Sequence, residues 1–185
     1  MRFRLWVIIA FVLFAIGIGA GLLISTSPSL LTSILSEEQA ALEALGDMLG
    51  PFKATTAVFI FLKNASVLLF SYIFSPVLCL FPVLALVFNG LFLAFISAIV
   101  VQKESLGLVL AGILPHGIFE IPAIIIGEAA ALSFGAATII ALLSREKNIP
   151  LLPTFKQNLK YLLIALILLV PAAIMETFVT PLFLQ

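Results

Sequence analysis

An all-α membrane bundle of about five helices is the fold class the sequence predicts, and three observations carry that reading. Apolar residues make up 63% of the 185-residue chain and charged residues 10%, against about 25% charged in a soluble domain. The mean hydropathy is +1.32, so the chain lacks the polar surface to cover itself in water. The apolar residues also gather into runs near the ~20 residues that a helix needs to cross the hydrocarbon core, where every backbone polar group must be paired internally. A soluble enzyme and a disordered tail are excluded. Nine Lys+Arg balance nine Asp+Glu, leaving no basic excess for nucleic acid. The lone Cys79 excludes a disulfide framework and a cysteine-based zinc site. One polytopic domain over residues 1–185 accounts for the whole composition.

The first span is read as residues 5–24, preceded by Arg2 and Arg4. It exceeds the roughly 7–15 apolar residues of a signal peptide and is expected to stay uncleaved. Residues 25–51 form the longest polar stretch. Within it Ser36-Glu37-Glu38-Gln39 has capping-box form, and Leu42, Leu45 and Leu49 recur at helical spacing before Gly50-Pro51. That pattern predicts an amphipathic outer-loop helix over 36–49. Residues 53–73 and 82–101 are the second and third spans, joined by a tight turn at Ser75-Pro76.

Residues 106–114 are too few to cross the bilayer, and Pro115-His116-Gly117 comes directly after them. The sequence therefore predicts a broken or interfacial helix before a fourth span at 118–143. The fifth span is 159–179, with a bend expected at Pro171. Five spans with the amino terminus inside place Arg145, Lys147, Lys156 and Lys160 on the cytoplasmic side and the acidic 25–51 loop outside, as the positive-inside rule requires. The expected location is the cell membrane, with the carboxyl terminus outside.

Ionisable and amide side chains inside spans are costly enough to mark sites. Counting depth from the span ends, Lys63, Asn64 and Glu128 fall near mid-membrane and Asn89 slightly inward. The expectation is that Lys63 neutralises Glu128 while Asn64 and Asn89 hydrogen-bond across helices. His116 and Glu120, four residues apart, share a helical face nearer the outside. Glu176 reaches a similar depth, and Pro115, Gly117 and Pro122 loosen the backbone around them. This outer cluster can be a structural tie, a proton or ligand relay, or a metal site. The metal reading is set aside, because there is one His and no HExxH pair. No GxSxG frames a nucleophile, so no catalytic residue and no cofactor are assigned. Gly17 and Gly21 form a GxxxG face, and Gly127, Ala131 and Gly135 repeat every fourth position. Both stripes are expected to pack within the bundle, with a homodimer as the alternative use.

Leu114-Pro115-His116-Gly117-Ile118-Phe119-Glu120-Ile121-Pro122-Ala123 resembles the signature of the stage II sporulation protein M family of integral membrane proteins. Asn64 within Phe61-Leu62-Lys63-Asn64 and the Asn89-Gly90 pair resemble that family's other recurring polar positions. The resemblance implies a five-span membrane protein without an established catalytic activity. It implies partners among membrane or extracytoplasmic proteins, since the namesake works at the engulfing septum with peptidoglycan-degrading partners. Glu128 departs from the small residue expected at its position, and Lys63 stands where a second Asn is common. The function expected is a non-enzymatic scaffold for partner proteins or an aid to membrane remodelling, with lipid as the surrounding partner. The alternative is a small transporter or channel moving an ion or lipid-like solute past His116, Glu120, Glu128 and Lys63.

Overall fold

The computed structural model describes residues 2–26, 50–143 and 150–184. Its elements are α1 (Phe3–Ile24), α2 (Ala54–Phe74), α3 (Leu80–Lys103), α4 (Leu106–Leu143), α5 (Leu151–Ile174), a π-helical turn (Met175–Val179) and α6 (Thr180–Phe183). No strand occurs among the described residues. Among the described residues, five helices are long and apolar enough to cross a membrane, the fifth running from Leu151 to Phe183. Side chains such as Phe11, Ile16, Phe70, Ile73 and Ile167 are exposed, as expected of a surface that meets lipid rather than water. The amphipathic helix expected over 36–49, and Arg145 and Lys147, lie outside the described residues.

α4 is the central post. One side of it packs with α2 and α5 through Ala123, Ala130 and Ala131 against Leu68, Leu162, Ala165 and Leu169. The other side packs with α1 and α3 through Ile124, Ile125, Ala129 and Leu132 against Ala10, Phe14 and Leu86. The continuous buried run from Gly127 to Leu132 is what a helix enclosed on all sides requires.

The close approaches rest on glycine. A Cβ on Gly17 would meet the Val87 carbonyl, one on Gly21 the Leu91 carbonyl, and one on Gly90 the Phe14 carbonyl. The GxxxG face of α1 is thus spent on α3 of the same chain. A Cβ on Gly127 would lie 2.9 Å from the Leu68 side chain, and one on Gly135 would meet the Ser75 carbonyl. The α2–α3 turn closes over Gly135, with Leu78 and Cys79 at φ 55° and 53°.

Two expectations are corrected. The helix expected to break at Pro115 is continuous over 38 residues, about 57 Å at 1.5 Å per residue. Pro115 and Pro122 sit inside it, each removing one backbone donor without ending the helix. Proline is tolerated in membrane helices because neighbouring groups satisfy the freed carbonyls. α5 passes through Pro171, and a π turn follows one turn later. There the Thr180 N–H donates to the Met175 carbonyl. α5 also begins at Leu151, so Lys156 and Lys160 lie on its first turns, both exposed, rather than in a loop.

Candidate functional site

Three ionisable side chains, His116, Glu120 and Glu176, converge where α4, α2 and the π turn meet. His116 and Glu120 stand one turn apart on α4, with His116 Nε2 3.7 Å from Glu120 Oε2. Their side chains are 17% and 21% exposed, so both are held mostly within protein. Asn64 on α2 donates through Nδ2 to Glu120 Oε1 at 3.0 Å. On the other flank His116 Nδ1 lies 3.4 Å from Thr180 Oγ1, and Thr180 itself is buried. Glu176, on the π turn, completes the group: one donor atom each from His116, Glu120 and Glu176 lie within 4.8 Å of one another.

Local structure explains how Glu176 arrives there. A π turn inserts an extra residue and rotates the helix beyond it, a device common at functional sites. Here it turns Glu176 toward α4 while Thr180, one turn on, reaches His116. The turn is held from outside by Phe52, whose N–H donates to the Thr177 carbonyl at 3.1 Å. Thr56 adds a 2.8 Å bond from its hydroxyl to the Gly50 carbonyl, fixing the start of α2 beside the π turn.

Lys63 and Glu128 do not meet as expected. The Lys63 ammonium acts electrostatically on Glu120 and Glu176, and its side chain is exposed. Glu128 is fully buried and neither of its oxygens has a hydrogen-bond partner. Its polar neighbour is the Ser71 hydroxyl on α2. The reason is register. Depth counted from a fourth span beginning at residue 118 sets Lys63 level with Glu128, but α4 begins at Leu106. The observed contacts pair Asn64 with Glu120 and Leu68 with Gly127. The α2 amide group is thus displaced from Glu128 by eight residues of α4, about 12 Å.

Asn89 is the other correction. Its Nδ2 donates to the Ala85 carbonyl of its own helix at 2.7 Å instead of bridging to another helix. It nevertheless faces the cluster across a cavity of about 60 Å³ that His116, Gly117 and Glu120 also line. That volume accommodates one or two waters. Larger hollows lie elsewhere, including one of about 350 Å³ lined by Ser133, Thr154 and Asn158 near the start of α5.

Two participants escape sequence reasoning. Thr180 has one legible signal, its i+4 spacing from Glu176, but only the π turn gives that spacing its direction. Ser71 has none, because a single hydroxyl in an apolar helix commonly bonds its own backbone.

A model of the family described as stage II sporulation protein M matches residues 10–181. An uncharacterized protein of Methanocaldococcus jannaschii is 38% identical over 97 residues, covering 52% of this chain and 54% of that protein. The matched segment thus spans about half the length of that curated relative. No solved structure matches. With the match running through all five long helices and through His116, Glu120 and Glu176, the chain belongs to the stage II sporulation protein M family of multi-pass membrane proteins.

Proposed function

We propose that this protein is a non-enzymatic membrane scaffold that holds partner proteins or assists membrane remodelling, with the His116–Glu120 cluster as the joint that sets the bundle's shape. The observation that carries the reading is the compactness of that cluster. His116, Glu120, Asn64 and Thr180 are engaged with one another, and the cavity beside them is about 60 Å³, well under the roughly 300–1,000 Å³ of a small-molecule site. A joint of this kind ties α4 to α2 and to the carboxyl-terminal turn, leaving the polar 25–51 segment to meet partners outside the bilayer. The family's namesake role beside other membrane-associated proteins agrees with that division of labour. Charge bias supports an orientation with the amino terminus in the cytoplasm.

Reconstitution into liposomes tests the reading against a transporter. The expected result is no flux of protons, common cations or a fluorescent phospholipid above that of protein-free vesicles. Flux that Glu120→Gln abolishes in a folded protein would overturn it. The positive arm is photo-crosslinking in cells from a probe at Glu43. A scaffold gives a discrete protein adduct that disappears when the residues of 36–49 other than the probe position are replaced by Gly and Ser at equal length.

A further inference from the structure

We infer that His116, Glu120 and Glu176 form a binding site for one zinc-class divalent cation, pinning the π turn to α4. The sequence weighed against a metal because it holds one His and no HExxH pair. The fold brings a third donor, Glu176, beside the His116–Glu120 pair. The three donor atoms already lie within 4.8 Å of one another, with His116 Nε2 and Glu120 Oε2 at 3.7 Å. Zinc bonds of about 2.0–2.2 Å in a tetrahedron bring donors to roughly 3.4 Å, so small side-chain rotations complete the set.

Three independent features fit a metal rather than an incidental cluster. Outer partners already orient the donors. Thr180 occupies the Nδ1 side of His116 and leaves Nε2 as the ligand, while Asn64 holds one oxygen of Glu120 and leaves the other. This is the arrangement by which metal ligands are usually fixed. The adjoining cavity of about 60 Å³ offers room for a water as fourth ligand. The charges also close: two carboxylates in a low-dielectric interior repel, and one divalent ion neutralises both. Lys63 acts on the same two carboxylates from an exposed position, outside the donor set. One imidazole with two carboxylates selects zinc, cobalt or iron over magnesium and calcium, which favour all-oxygen shells.

The inference stands apart from the scaffold reading, since a metal pin serves a scaffold or a transporter equally. It is tested on tag-free, full-length protein in detergent micelles, stripped with chelator and titrated with CoCl₂ and then ZnCl₂. The expected result is one Co²⁺ per chain with visible d–d absorption, displaced by Zn²⁺ and not by millimolar Ca²⁺ or Mg²⁺. Glu176→Gln, which preserves shape, should weaken binding by more than about tenfold, as should the outer-partner change Asn64→Ala. Lys63→Met should tighten it by removing the competing charge. Glu128→Gln, which lies outside the cluster, should leave it unchanged and reports that folded protein was assayed. Sub-stoichiometric binding to folded wild-type protein, binding indifferent to Glu176→Gln, or displacement by Ca²⁺ would overturn the site.

Discussion

Glu128 and Glu120 sit on the same helix two turns apart, yet their surroundings are opposite in kind. Glu120 accepts a hydrogen bond from Asn64 and feels His116 and Lys63 nearby. Glu128 is fully buried with both oxygens unpartnered. Breaking a paired polar contact is costly, whereas neutralising an unpaired acid is not. Glu128→Gln should therefore leave the thermal midpoint in micelles unchanged or raise it. Asn64→Leu should lower stability by about 1 kcal/mol, the usual scale of hydrogen bonds between membrane helices. The same geometry decides which charges are coupled. In a double-mutant cycle, Lys63→Met and Glu128→Gln should add to within about 0.5 kcal/mol, while Lys63→Met and Glu176→Gln should not. Coupling of Lys63 to Glu128 would restore the mid-membrane pair that depth counting suggests.

At the scale of elements, α1 and α3 are held together by backbone contact at Gly17, Gly21 and Gly90. Gly90→Ala should cost about 1–3 kcal/mol, because its Cβ runs into the Phe14 carbonyl and backbone cannot yield as a side chain can. Gly19→Ala, where a Cβ meets nothing within 4 Å, should be neutral or stabilising by up to about 1 kcal/mol. Equal effects of the two in unfolding titrations would contradict this crossing. Apolar runs in the sequence locate the five long helices because the bilayer imposes length and internal pairing. The glycine stripes point to close packing for the same reason. Register was not legible. Pro115-His116-Gly117 looks like a helix end in aqueous terms, and that one local inference displaced Glu128 against Lys63 by two turns. The π turn was invisible because Pro171 announces an irregularity without giving its position. Depth along the sequence therefore placed Glu176 level with His116, while its direction came from a backbone detail.

The whole molecule reads as two helix pairs, α1 with α3 and α2 with α5, packed on opposite sides of α4. That design places the alanine-rich middle of α4 at the centre and its His116–Glu120 segment where the middle of α2 and the π turn after α5 converge. A compact joint there explains why these polar groups persist in a chain otherwise built to meet lipid. The most direct test is cysteine accessibility along α4 in sealed vesicles. Residues 113, 117, 120, 124 and 128 would be replaced one at a time in a Cys79→Ala background and probed with small maleimides from either side. The account predicts that positions 120, 124 and 128 stay unreactive until the protein is denatured. A continuous ladder of reactivity from 113 to 128 would reveal a wet path through the bundle and would contradict it.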